Sequence, residues 1–168
     1  MSVGIAEPLL TWELLTPSDY KKIAMTQIQF AQTDDQIDRC YAVMSELRPH
    51  LSREEFLAQV KRQIAESGYQ LIYLEDEGEV KAVAGIRIAE WLARGMSMDL
   101  EDLVATESDR SKGYGGQLFD WLLDYGRQRG CTEIRLVSHV TRFRAHQFYL
   151  KKKMILDGHF FSMPLNPS

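Results

Sequence analysis

Arg110-Ser111-Lys112-Gly113-Tyr114-Gly115-Gly116 lies between a strand-like segment and the most regular helical stretch of the chain, and its reading decides the fold. Glycines at 113, 115 and 116 let the backbone turn tightly and come close to a ligand. The free N–H groups of a helix's first turn, reinforced by the helix dipole, form an anion site, to which Arg110 and Lys112 add charge. A Walker loop requires GxxxxGK[ST], which is absent, and a dinucleotide fingerprint requires a third glycine where this chain has Leu118. The competing reading is a plain turn with exposed charges, the commoner outcome for an isolated glycine cluster.

Outward from this turn the signals are regular. Residues 115–129 form a helix with Leu118, Leu122 and Tyr125 on one face and Gly130 as its stop. Upstream, residues 98–105 read as a strand, and residues 69–74 and 80–88 as a hairpin joined by an acidic turn containing Gly78. Ser52-Arg-Glu-Glu55 has the capping-box form, and Phe56, Leu57, Val60 and Ile64 give the helix behind it one apolar face up to Gly68. An earlier helix starts at Thr33 or Asp34, runs to about Leu47 and ends at Arg48-Pro49; the strand before it begins at Gln27. Downstream come a strand at 132–138, a short helix at 144–151 and closing strand material at 154–163. Residues 1–24 carry Pro8 and Pro17 without a clear period and read as an N-terminal appendage to a single domain at 25–168. Strands alternating with helices in this order pack most economically as a mixed sheet covered on both faces.

Composition excludes several classes. With 168 residues, 45% hydrophobic, and 20 basic against 24 acidic side chains, the net charge of -4 lacks the footprint of a nucleic-acid partner. No run approaches the roughly 18 apolar residues of a membrane span. Even residues 82–93 carry Arg87 and Glu90. No basic segment precedes the apolar residues of the N-terminus, so it does not read as a secretory signal, and a cytoplasmic location is expected. Cys40 and Cys131, and His50, His139, His146 and His159, show no ligand spacing, and no metal is expected.

A family resemblance adds chemistry. Arg110-x-x-Gly113-x-Gly115, preceded by Glu101-Asp102-Leu103-Val104-Ala105 and followed by a Leu-rich helix ending Arg129-Gly-Cys, resembles the acyl-CoA signature of the GCN5-related N-acetyltransferases (GNAT). Arg144-Ala-His-Gln-Phe148-Tyr149 resembles the second signature of that family, and together they cover about residues 26–163. The resemblance implies the α/β GNAT acyl-CoA N-acyltransferase fold, a mixed and mostly antiparallel sheet of about six to seven strands. It also implies a splayed central pair of parallel strands, here residues 98–105 and 132–138. The implied co-substrate is acetyl-CoA, with its pyrophosphate on backbone N–H groups of Ser111, Lys112, Gly113, Tyr114, Gly115 and Gly116, beside Arg110, Leu103, Val104 and Ala105. The implied partner is a small amine acceptor, and family habit makes a homodimer plausible.

Acetyl transfer from a thioester to an amine requires a deprotonated amine, a stabilised oxyanion and a protonated leaving thiolate. Glu101 matches a position where several members, including polyamine acetyltransferases, carry Glu on the strand before the glycine turn, and it is the candidate base. Asp102 follows on the opposite face of a regular strand, and Asp99 is two residues away on the same face as Glu101. The competing reading for these acids is solvated strand ends. Tyr149 matches the family tyrosine that protonates the thiolate; its alternative is a core aromatic. The oxyanion donor is assigned to the N–H of Leu103 or Val104 by the same resemblance.

Arg48-Pro49-His50 sits in the helix connection that shapes the family's acceptor pocket, and His139 follows the second splayed strand. The Lys151-Lys152-Lys153 run reads as a solvated helix end with one lysine in reach of a CoA phosphate. Two departures stand out: Arg142 replaces the usual asparagine, and Lys153-Met154 the usual Gly-Phe. Two acids in the site suit a cationic amine or polyamine, while a small-molecule amine, an amino acid, an antibiotic and a peptide N-terminus stay open as acceptors. Neither cysteine falls in the expected site, which favours direct transfer in a ternary complex over a covalent route. A non-catalytic acyl-CoA sensor of the same fold is the alternative.

Overall fold

The computed structural model describes residues 26–165, and of Arg110 and Ser111 the backbone only. The appendage expected at residues 1–24 lies outside the described residues. In chain order the elements are β1 (Thr26–Phe30), α1 (Asp34–Met44), α2 (Arg53–Ser67), β2 (Gln70–Asp76), β3 (Glu79–Trp91) and β4 (Gly95–Ala105). A 3-10 turn (Glu107–Lys112), α3 (Tyr114–Gln128), β5 (Glu133–Arg135) and α4 (Phe143–Lys151) follow. The strands lie side by side in sequence order, antiparallel from β1 to β4, with β5 parallel to β4.

Local chemistry explains the helix boundaries. Ser52 and Glu55 exchange hydrogen bonds with each other's backbone at the start of α2, as the sequence predicts. Thr33 and Gln36 form a second such box at α1. Gly68, at φ 67°, ends α2 in the left-handed region.

Alternation along the strands divides the core in two. Leu71, Tyr73 and Val83 face α1 and α2, packing with Ile37, Cys40, Val43, Phe56 and Val60. Ile72, Leu74, Ala84, Ile86 and Met98 face α3, packing with Leu118, Phe119 and Leu122, while Phe148 and Tyr149 of α4 pack, partly buried, against the same cluster. Helices thus cover both faces.

Two expectations change. The sheet has five strands among the described residues, where about six to seven are expected. Residues 154–163 form no regular structure, and Leu156, Phe160 and Phe161 stand exposed. A strand-like sequence becomes a strand only against a paired edge. The parallel partner is also shorter than residues 132–138: pairing of β4 with β5 covers only Ser97 to Asp99, and β4 continues to Ala105 without it. That early separation is the splay.

Candidate active site

The centre of the site is a β-bulge. Along β4, Leu103 pairs with Ala84 and Asp102 with Gly85, but Leu100 pairs with Ile86, so Glu101 is the extra residue. The bulge changes which residues face each core. Met98 and Leu100 point to the α3 side before it, Leu103 and Ala105 after it, and Val104 turns to the α1 side. Glu101 and Asp102 consequently line one cavity, not opposite faces as a regular strand would place them. This cavity, ≈ 210 Å³ in volume and about half open to solvent, is also lined by the α1–α2 connection (Arg48, His50, Leu51), by α2 (Phe56, Gln59, Gln63) and by Tyr69.

Both carboxylates are held. Arg48 donates from Nε to Asp102 Oδ1 at 2.8 Å, and its Nη2 lies 2.7 Å from the same oxygen and 3.3 Å from the Glu101 carbonyl. The Tyr69 hydroxyl donates to Asp102 Oδ2 at 2.9 Å. Arg87 pairs with Glu101 Oε1 and donates to Ser67 O at 3.0 Å, with its guanidinium 5.3 Å from the centre of the Tyr69 ring. Glu101 Oε2 has no partner among the described residues. Burial and the neighbouring Asp102 push the Tyr69 hydroxyl well above its ordinary range, so it stays a neutral donor.

Tyr69 reaches Asp102 only because residue 85 is glycine. A Cβ there would lie 1.9 Å from the Tyr69 hydroxyl oxygen. Tyr69, Gly85 and Arg87 are site residues that the motifs do not reveal. The legible clue is an isolated glycine within a strand, which marks a close approach.

Beyond the splay, the edge of β4 has no strand partner among the described residues. Thr106 donates its N–H to Lys81 O at 3.0 Å. By the alternation of an antiparallel ladder, Val104 and Asp102 direct their N–H groups to β3, and Leu103 and Ala105 direct theirs to the uncovered edge. Of the two oxyanion candidates, Leu103 therefore has the available donor.

Gly113, at φ 81°, precedes α3, whose first intrahelical acceptor bond runs from Gln117 N to Gly113 O at 3.0 Å. The N–H groups of Tyr114, Gly115 and Gly116 have no intrahelical partner, and α3 has no side-chain cap. A Cβ at Gly115 would meet nothing nearer than 3.6 Å, and at Gly116 nothing nearer than 3.8 Å. Packing inside the chain does not require either glycine.

Of the two cations expected at the turn, the side chain of Lys112 is described. Lys112 is paired to Asp109 Oδ1 at 2.8 Å, and Lys81 reaches the same carboxylate at 3.2 Å. Both lysines hold the Asp109 carboxyl below its ordinary range. Lys152 lies near the start of α3: its Nζ is 3.4 Å from Gly116 O and bridged to Asp120 at 2.6 Å. The Tyr114 side chain is buried and donates to Asp76, which with burial pushes its hydroxyl up to about 12; it serves the core, leaving only its N–H for a ligand.

Tyr149 is half-buried, packed 6.3 Å from Phe119 between ring centres, and its hydroxyl has no partner among the described residues. Burial raises its pKa, so it is protonated at neutral pH. Two weaker candidates do not line the cavity. Asp99 is engaged by Arg135 through Nε at 2.5 Å and Nη2 at 3.1 Å. His139 is exposed and bonded locally to Thr141 Oγ1 at 2.8 Å, outside the cavity.

The model of the acetyltransferase (GNAT) family matches residues 31–154. The chain belongs to this family. Among GNAT relatives, the uncharacterized N-acetyltransferase YhdJ of Bacillus subtilis (strain 168) is 32% identical over 126 residues, 74% of this chain and 89% of that protein. A transcriptional regulator from Bacillus halodurans C-125 superposes with a TM-score of 0.74 at 18% identity, covering 83% of this chain and 99% of that one. The aminoglycoside N-acetyltransferase AAC(6')-Iy, in a structure with CoA, gives 0.72 at 14% identity over 84% of this chain and 95% of its own. At such identities these two establish the GNAT fold alone.

Proposed function

We propose that this GNAT chain is an acetyl-CoA-dependent N-acetyltransferase that acetylates a primary amine by direct attack in a ternary complex. The observation that carries the reading is the bulge at Glu101, which turns two carboxylates into one cavity beside backbone donors left free by the splay. The residues fit CoA: the unshared N–H groups of Tyr114, Gly115 and Gly116 suit its pyrophosphate, and the absence of side chains at 115 and 116 leaves room for it. Lys152 adds a nearby cation. Once bound, the thioester supplies an activated acetyl carbon.

The chain's own residues then divide the work. Glu101, with Oε2 unshared, takes the proton of the amine; Asp102 has both oxygens engaged and is the poorer base. The Leu103 N–H faces the edge where negative charge develops. Tyr149, protonated and unpartnered, returns a proton to the departing sulfur. Cys40 is fully buried, with its pKa raised to about 12 by desolvation, which suits a mechanism without a thiolate nucleophile.

Thiol release from acetyl-CoA that depends on an added amine is the expected result; failure of acetyl-CoA to bind at high micromolar concentration overturns the reading. The engagement of both acids by arginines favours one alternative, an acyl-CoA sensor without chemistry. Glu101→Gln and Tyr149→Phe separate the two: an enzyme loses rate and keeps CoA affinity, whereas a sensor has no rate to lose.

A further inference from the structure

The cavity's carboxylates suggest a cationic acceptor only until their partners are counted. Glu101 faces Arg87 and Asp102 faces Arg48, so two guanidiniums oppose two carboxylates and no net negative charge is left to attract a polyamine. What remains unshared is one group of each sign. Glu101 offers Oε2, and Arg48 offers Nη1, which has no partner among the described residues.

Arg48 is also the more carefully placed of the two. Its side chain stays 42% exposed, while the Asp102 beneath it is 11% exposed and fixed from the other side by Tyr69. Tyr69 can stand there only because Gly85 lacks a Cβ. Gly85, Tyr69 and Asp102 thus form a stack that fixes a guanidinium at the cavity wall, and a fixed planar fork is the side chain best suited to a carboxylate. His50 lines the same wall.

The volume narrows the choice further. At ≈ 210 Å³ and about half open to solvent, the cavity suits a compact group at the two carboxylates. The lining contributed by Leu51, Phe56, Val60, Gln59 and Gln63 is uncharged and suits a short side chain without charge.

We infer that the acceptor is a compact amino acid, its amine directed to Glu101 and its carboxylate held by Arg48. The inference rests on the reading of this cavity as the acceptor site of an acetyltransferase. Asp102 and Tyr69 are positioning residues for Arg48 in this scheme.

The test compares neutral α-amino acids, their carboxamides, spermidine and an aminoglycoside as acceptors, by thiol release from acetyl-CoA. An amino acid should exceed its own carboxamide in kcat/KM by roughly 10- to 100-fold, the loss expected when a charged hydrogen bond is removed. The carboxamide carries the less basic amine, which biases turnover the other way and makes the comparison stringent. Calorimetric titration of the same pair into CoA-saturated protein should give the same ratio in Kd, independent of chemistry.

Arg48→Gln should bring both ratios close to one. Because that change strands a largely buried carboxylate, Arg48→Lys is measured beside it, which keeps the charge, removes the fork and should reduce the ratios several-fold in a folded protein. Equal binding of amino acid and carboxamide, or turnover confined to spermidine or the aminoglycoside, overturns the inference and leaves acetyl transfer standing. Absence of thiol release with every amine overturns both.

Discussion

Lys153 shows what a single residue contributes against its intrinsic preference. Its φ of 64° is left-handed, and the bond from Met154 N to Tyr149 O, 3.0 Å, closes the turn that ends α4. A side chain in this conformation costs about 1 kcal/mol relative to glycine. Lys153→Gly should therefore raise stability by about that amount and the melting temperature by roughly 2–4 °C, measured by calorimetry; no rise would mean the turn is held by something other than this geometry. At Gly85 the sign reverses. Gly85→Ala sets a methyl against the Tyr69 hydroxyl, so the ring must leave Asp102, with a loss of roughly 1–3 kcal/mol in urea unfolding. The same variant should weaken acceptor binding, because Arg48 loses its fixed anchor.

At the scale of elements, the start of α3 permits a prediction in which stability and binding part company. Gly116→Asp adds a carboxylate to the first turn, where it favours the helix dipole and lies near Lys152. Thermal stability should hold or rise by a few tenths of a kcal/mol, and CoA affinity should fall at least roughly 10-fold, as the added charge meets the pyrophosphate. Unchanged CoA affinity would remove the turn from the binding site. This turn was legible because glycine spacing and a helix start are written in residue types. The bulge at Glu101 was not, since an extra strand residue is specified by pairing with β3 and leaves no pattern in β4 alone. Without it, alternation puts Asp102 on the wrong face. The segment at 154–163 errs the other way: its apolar residues read as a strand, yet β5 pairs over only three residues and offers it no ladder.

Across the whole molecule, both cores enclose groups whose protonated form the fold favours. Tyr69, Tyr73 and Cys40 lie on the α1 and α2 side and Tyr114 on the α3 side, and burial or a nearby carboxylate raises the pKa of each. The folded state therefore holds these protons more tightly than the unfolded chain. Their contribution is complete below the unfolded range, about 8.5 for a thiol and 10 for a phenol, and declines as pH rises toward the folded values. Those values are about 12 for Cys40 and for Tyr114. Within that window each group removes up to about 1.4 kcal/mol per pH unit. The urea midpoint should thus be flat from neutrality to about pH 8.5 and fall steeply above it, as repulsion within a chain already at -4 also grows. Tyr114→Phe separates these causes. It removes one titrating group together with its bond to Asp76, so it should lower stability at pH 7 and lessen the slope above pH 10. A midpoint that stays level to pH 11 would show that these protons are held no more tightly in the fold than outside it.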